Sequence, residues 1–264
     1  MSLDKPVVMG IINLTPDSFY ENSRAQNKKQ LLAHCEKMLH DGAAIIDLGG
    51  YSSRPGAPFV KEEEEALRVL EAIDILLEHF KGIVLSVDTF RSNIARQAID
   101  RGAAMINDIS AGDDDPKMLS TLAALQVPYI MMHKRGSPQT MQQLTQYENV
   151  TKAVFDYFVA KTGEAKQWHI HDIIFDPGFG FAKTTEQNYQ LLGELEVFKI
   201  LEKPILVGLS RKKMIQHVIE EEASNALNGT SVAHTLALLK GANILRVHDV
   251  KEAIECIKIV AMMN

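Results

Sequence analysis

Cysteine, tryptophan and surplus positive charge are all scarce in this chain. Its 264 residues include two cysteines and one tryptophan, and 28 Lys and Arg face 34 Asp and Glu. The resulting net charge of −6 excludes a protein that holds nucleic acid by bulk attraction, because phosphate-backbone affinity requires a basic surface. Cys35 and Cys256 lie in helix-like segments without metal-ligand spacing. They are expected as small buried apolar residues in a reducing compartment, with a disulfide the lesser alternative. No apolar run reaches the length of a membrane span, and "MSLDKPVV" lacks the charged start, apolar stretch and cleavage site of a signal peptide. A cytoplasmic location with no membrane partner is therefore expected. Neither a Gly/Ser-rich linker nor a shift in composition interrupts the chain, so residues 1–264 read as a single domain.

What is present is a regular alternation of short β-rich runs with amphipathic helical patterns. The strand-like runs are Val7 to Asn13, Ala44 to Leu48, Ile83 to Asp88, Met105 to Asn107, Val127 to Met131, Ile173 to Asp176, Ile205 to Gly208 and Ile244 to Val247. Most lack polar alternation, as expected of parallel strands covered on both faces. Leu31, Leu32, Cys35, Met38 and Leu39 form one helical stripe, and Ala66, Leu67, Leu70, Ile73, Leu76 and Leu77 another. Eight strand-helix repeats in a chain of this size predict an α/β fold of the closed (β/α)8 TIM-barrel type over an open doubly wound sheet. An additional short helix is predicted over Lys212 to Ile219, with the outer helix starting near Ser231.

In such a barrel the chemistry gathers at the C-terminal strand ends. Those ends carry Asn13, Gly49-Gly50, Asp88, Asn107-Asp108, Met132-His133, Asp176 in "DPGFGF", "GLSRKK", and Arg246 with His248. Buried polar groups cost free energy unless paired, so a convergent polar set points to a polar ligand. Arg54, Arg246, His248, Lys212 and the groups near Ser53 and Ser210 suit an anion such as phosphate. Asp88, Asn107 and Asp176 suit a neutral heterocycle that presents N–H donors. Taken singly, Lys212 and Arg54 are equally readable as solvated loop charges, and a lone Asp at a strand end as a helix cap.

The ordered motifs "MGIINLTPDSF", "DLGGYSSRPGA", "SVDT", "INDIS", "MMH", "DPGFGF", "GLSRK" and "RVHDV" resemble the dihydropteroate synthase family of folate biosynthesis across nearly the whole chain. That resemblance implies a barrel, commonly dimeric, that condenses 6-hydroxymethyl-7,8-dihydropterin diphosphate with p-aminobenzoate, uses Mg²⁺ and is a sulfonamide target. By matching position it assigns Asp88, Asn107, Met132, Asp176 and Lys212 to the pterin. Asn13, Arg54, Arg246 and His248 go to the diphosphate, with Asn13 also bearing on the metal. Phe19, Ser53, Arg54, Pro55 and Phe181 go to p-aminobenzoate. Asp88, Asp176, Lys212, Arg246 and His248 are the expected catalytic set, the small-molecule substrates the expected partners, and a homodimer the expected assembly.

The chain departs from the family pattern at Tyr20-Glu21-Asn22-Ser23, where Ser-Asp-Gly-Gly is usual, at Tyr51 for Glu, at Ser53 for Thr and at Lys213 for Ser. A pterin-binding methyltransferase that serves a corrinoid protein shares the barrel, but it has no use for a diphosphate site built from Arg246, His248 and "SRK". His133 reads as a structural residue, and His169 with His171 as a weak metal signal. The runs Glu62 to Glu65 and Asp113 to Asp115 read as solvated helix starts.

Overall fold

The computed structural model describes residues 3–14, 24–51, 59–137 and 139–263. Eight parallel strands alternate with helices: β1 (Val7–Asn13), α1 (Arg24–Asp41), β2 (Ile45–Gly49), α2 (Glu62–His79), β3 (Leu85–Asp88), α3 (Ser92–Asp100), β4 (Met105–Asp108), α4 (Met118–Leu125), β5 (Tyr129–Met132), α5 (Val150–Gln167), β6 (Ile173–Asp176), α6 (Thr185–Gly193), β7 (Leu206–Val207), α7 (Lys213–Ile219), α8 (Leu227–Leu239), β8 (Ile244–Val247) and α9 (Val250–Ala261). The sheet runs β6-β5-β4-β3-β2-β1-β8-β7. A parallel bridge between Phe175 and Ile205 joins its two ends, and the Phe175 N–H donates to the Pro204 carbonyl at 2.9 Å. The ring is thereby closed into the (β/α)8 barrel.

Strand boundaries differ from the sequence expectation by one or two residues where the apolar run outlasts the ladder. Ile205 spends its backbone on the closing bridge and on Asn243 and Ile244, which leaves β7 only Leu206–Val207. The outer helix starts at Leu227 rather than near Ser231, because a 3₁₀ turn over Ala223–Asn225 leads straight into it. Glu63, Glu64, Asp113 and Asp114 are exposed, as expected of solvated runs, but Glu65 is not and several of these acids are paired. Glu65 is fully buried, accepting from Thr89 Oγ1 at 2.7 Å and pairing with Arg91. Asp113 pairs with Lys161, Asp114 with Lys134, and Asp115 accepts from the Ser92 N–H at 2.7 Å. Both runs sit where helix starts meet neighbouring strand-end loops, and there cations and free N–H groups are within reach.

Most of the apolar core lies between the barrel and its helices: Val8, Ile12, Ile46, Leu48, Val87, Tyr129, Phe158 and Phe175 belong to that shell. Phe158 of α5 stacks on Phe175 of β6 with ring centroids 4.3 Å apart. A second, smaller cluster fills the barrel interior with Met9, Ile45, Met105, Ile130, Ile174, Leu206 and Ile244. Each fully buried side chain of this kind contributes roughly 1.5–3 kcal/mol. The outer shell therefore carries most of the stability, and the upper interior is left free to be polar.

Candidate active site

Strand side chains alternate between faces, so the residues two beyond the interior cluster also point inward. From Ile45, Met105, Ile130, Ile174, Leu206 and Ile244 that step reaches Asp47, Asn107, Met132, Asp176, Gly208 and Arg246. In β3, Ser86 pairs in register with Met105, so the same step there reaches Asp88. One further step in β1, β2 and β8 reaches Asn13, Gly49 and His248 at the mouth. Apolar residues thus plug the bottom of the barrel, and a polar ring crowns it.

The ring is wired together. Arg246 donates from Nε to Asp47 Oδ2 at 2.6 Å and from NH2 to Asp88 Oδ2 at 2.7 Å. Asn107 Nδ2 donates to the same Asp47 oxygen at 3.1 Å. Burial alone would lower the Arg246 pKa, but Asp47 and Asp88 outweigh it and raise it further. Burial pushes Asp88 up to about 7, with Arg246 the main influence opposing it. Asp176 is raised by burial against the pull of Lys212, and Lys212 is lowered to about 8 by burial against the pull of Asp176. Two cation–carboxylate groupings, Arg246 with Asp47 and Asp88 and Lys212 with Asp176, face one cavity mouth. Gly49 lies between two of these side chains: a Cβ there would lie 3.8 Å from Asn13 Oδ1 and 3.9 Å from Asp88 Oδ2.

The β6–α6 loop is held from several sides. The Gly178 N–H donates to Asp176 Oδ1 at 2.8 Å, and Gly178 adopts φ +70° with its Cα against the His133 carbonyl, only 2.0 Å from where a Cβ would sit. Lys212 Nζ donates to the Phe179 carbonyl and lies 5.0 Å from the centroid of the Phe181 ring. Lys183, buried beneath the loop, reaches His133 Nδ1 at 3.0 Å, the Gly178 carbonyl at 2.9 Å and the Phe181 carbonyl at 3.1 Å. Burial lowers Lys183 to about 7 and His133 to about 2, which favours a neutral imidazole beside the lysine. A capping box between Thr184 and Gln187 then starts α6.

Arg211, inside "SRK", is a strut. Its guanidinium grips Asp249 through Nε at 2.8 Å and NH2 at 3.1 Å, and also binds the Ala223 and Ser224 carbonyls at 2.6 Å each. This joins the loop that carries Lys212 to the residue after His248. On the other side of the mouth, Arg68 NH1 donates to the Gly50 carbonyl at 3.2 Å, and Arg91 donates to the Val60 carbonyl at 2.6 Å while its guanidinium lies over the Tyr51, Phe59 and Phe90 rings.

The structure therefore brings together Asn13, Asp88, Asn107, Met132, Asp176, Phe181, Lys212, Arg246 and His248 at one end of the barrel. Phe19, Ser53, Arg54 and Pro55 lie outside the described residues, as do Tyr20 to Ser23. Sequence reasoning missed Asp47, Lys183 and Arg211. Asp47 was legible as a charged residue inside "IIDLGG" at the same strand parity as Gly49, whereas nothing in the sequence marks Lys183 as buried. His169 and His171 are exposed and lie just before β6, at the opposite end of that strand from Asp176.

The family described as pterin binding enzyme matches residues 9–248. The dihydropteroate synthase of Escherichia coli is 38% identical over 98% of this chain and 92% of its own length, and that of Bacillus subtilis is 38% identical over 99% and 90%. Among solved structures, Yersinia pestis dihydropteroate synthase in complex with a sulfonamide drug superposes with TM-score 0.92 at 37% identity, covering 100% of this chain and 95% of that one. The Xanthomonas albilineans enzyme in complex with 7,8-dihydropteroate gives TM-score 0.88 at 34% identity, covering 100% and 95%. The matched pattern runs from the first strand to the last, and the relatives agree over nearly their full length: this chain belongs to the pterin-binding enzymes and, among them, to the dihydropteroate synthases.

Proposed function

We propose that the inward polar ring is the pterin diphosphate pocket, with Asp88, Asn107, Met132, Asp176 and Lys212 around the heterocycle and Asn13, Arg54, Arg246 and His248 around the diphosphate. The reaction of the family joins 6-hydroxymethyl-7,8-dihydropterin diphosphate to p-aminobenzoate and releases diphosphate. The observation that carries the assignment is the coincidence of strand parity with chemistry: acceptor-rich Asp88, Asn107 and Asp176 share one inward layer with the cation Arg246. Carboxylates that cannot donate match the N–H edge of a pterin, and a guanidinium fork matches phosphate oxygens.

Breaking the C–O bond sends both electrons to the diphosphate and leaves a cationic pterin methylene. We place the developing anion against Arg246 and His248, and the cation beside the Asp176 carboxylate. The aryl amine then forms the C–N bond and loses a proton. Phe181 on the β6–α6 loop, together with Phe19, Ser53, Arg54 and Pro55 on the first two loops, is proposed to shape the p-aminobenzoate site. The donor set fits Mg²⁺ in its usual partner-poor mode, held largely by substrate phosphates and water with one protein oxygen, here the Asn13 carboxamide. Among the described residues no group of three or more His, Cys, Asp or Glu is placed to hold a metal. When bound, Mg²⁺ neutralises charge on the leaving diphosphate.

The test is an assay of purified protein with pterin diphosphate, p-aminobenzoate and Mg²⁺ for dihydropteroate, followed by Arg246→Ala. Loss of diphosphate recognition well beyond loss of pterin recognition is expected, and equal losses would refute the partition. Slow diphosphate release without p-aminobenzoate supports the dissociative step; strict dependence on the amine supports direct displacement instead.

A homodimer is also proposed. On α8, Val232, Leu236 and Leu239 are exposed at helical spacing, and Ile259, Met262 and Met263 extend the apolar surface at the end of α9, which packs on α8. Leu236→Glu is expected to halve the mass measured by light scattering. Free, buried Cys35 and Cys256 accord with the cytoplasm. None of the helices among the described residues is long and apolar enough to cross a membrane.

A further inference from the structure

Asp47 connects the two halves of the proposed pocket, touching both Arg246 and Asn107. It is fully buried in β2, two residues before Gly49 at the mouth. Its Oδ2 accepts from both Arg246 Nε and Asn107 Nδ2. Its Oδ1 has no hydrogen-bond partner among the described residues, so those two bonds alone account for its pairing.

Two consequences follow from donor and acceptor chemistry. A carboxylate only accepts, so Asn107 must turn its NH₂ toward Asp47 and its carbonyl oxygen away from it. The amide is thereby polarised as an acceptor for a ligand. Arg246, in turn, is shared by two carboxylates of unequal access, since the Asp88 side chain is 14% exposed and that of Asp47 is 0% exposed. A ligand entering the mouth meets Asp88 and can draw it away from Arg246, but it does not reach Asp47. With Nε on Asp47, the other guanidinium donors are released toward the ligand as a set.

We propose that Asp47 is the positioning residue of the pocket: it fixes Asn107 as an acceptor for the heterocycle and retains Arg246 as a donor for the diphosphate when Asp88 transfers from Arg246 to the substrate. This rests on the assignment of Arg246 to the diphosphate and Asn107 to the pterin.

The test is a pair of double-mutant cycles read by calorimetry with two ligands, 6-hydroxymethyl-7,8-dihydropterin and its diphosphate. Asp47→Asn is expected to weaken the diphosphate form on the order of tenfold or more, as truncating one member of a buried charge pair does. In an Arg246→Ala background the additional loss specific to the diphosphate should vanish, and in an Asn107→Ala background the loss on the unphosphorylated pterin should vanish. Additivity in either cycle overturns the proposal. If Arg246→Ala alone weakens both ligands equally, it is the underlying assignment of Arg246 that fails. Should Asp47→Asn not fold, a structure of the native protein with pterin diphosphate decides: Arg246 Nε and Asn107 Nδ2 stay on Asp47 while Asp88 turns to the ligand. Departure of either from Asp47 overturns the inference.

Discussion

Replacing Arg246 by methionine should cost stability in a way that depends on pH. The substitution keeps an apolar stem but removes the cation between Asp47 and Asp88, which lie 2.6 Å and 2.7 Å from the guanidinium nitrogens. Breaking a buried ion pair by removing one partner costs about 3–5 kcal/mol. Arg246 and Asp88 keep 20% and 14% side-chain exposure at the mouth, so some of that is recovered by solvent and roughly 2–3 kcal/mol is the working figure at alkaline pH. Asp88 already sits near pH 7 because burial raises it, with Arg246 as the chief opposing influence; without Arg246 it rises further. Between its ordinary unfolded value and its folded value the native state binds more protons than the unfolded state, so stability falls as pH rises. In the parent this fall ends near pH 7, while in the variant it continues upward. The stability difference therefore opens above pH 7 by at most about 1.4 kcal/mol per pH unit, and shrinks at pH 6, where the variant's Asp88 is protonated. For a chain of this size that corresponds to a loss of roughly 4–10 °C in Tm near pH 8.5. Ligand-free thermal unfolding of parent and variant at pH 6 and 8.5 measures it. An equal deficit at both pH values, or one that grows toward acid, refutes the electrostatic account of the ring.

Other perturbations address separate parts of the site. The pH profile of kcat/KM should be bell-shaped with its maximum between about 7 and about 8, because Asp88 must be ionised to accept and Lys212 must be charged to pair with Asp176; Asp88→Asn should flatten the acid limb, and Lys212→Arg should move the alkaline limb upward. Gly49→Val should leave the melting temperature within a few degrees yet abolish pterin binding by calorimetry, since its side chain would fill the space between Asn13 and Asp88. Gly178→Ala should fail differently, lowering the urea midpoint by the equivalent of about 3 kcal/mol or more, because φ +70° and the His133 carbonyl leave no position for a Cβ.

The barrel was legible because parallel strands sandwiched between apolar layers read as short hydrophobic runs at regular spacing, and "IIFD" or "ILRV" admits few other readings. The ring was legible where a polar residue ended such a run, as at Asn13, Asp88, Asn107 and Asp176. Asp47 stands in the middle of β2 rather than at its end, so no break in the apolar run marks it, although alternation from Ile45 puts it inside. Lys183 and Arg211 were not legible in the same way. One is buried because the Gly178 and Gly180 turns fold the loop back over it, and the other finds Asp249 across 38 positions of sequence, a partnership that the pairing of β7 with β8 creates. Glu65 departs from its otherwise solvated run for a related reason: a helix start next to a strand-end loop is not bulk solvent.

These differences bear on how a pocket this charged can stand without its substrate. Asp47, Asp88 and Asp176 carry three potential negative charges against Arg246 and Lys212, and each carboxylate taken alone would be a costly group to bury. The free protein offsets that cost by pairing the site with itself: Arg246 holds two carboxylates, Lys212 is drawn to Asp176, and burial raises Asp88 to about 7, which favours its neutral form. On the proposed assignment of the pocket, substrate binding is then an exchange in which ligand donors replace Arg246 at Asp88 and phosphate oxygens take up the released guanidinium. Such an exchange keeps the number of paired charges nearly constant, so affinity depends on how well the remaining groups hold their positions. Asp47, Lys183 and Arg211 are the side chains that do so, each hydrogen-bonded to a neighbouring strand end or loop, which is why an apparently peripheral aspartate within β2 should matter to both ends of the ligand.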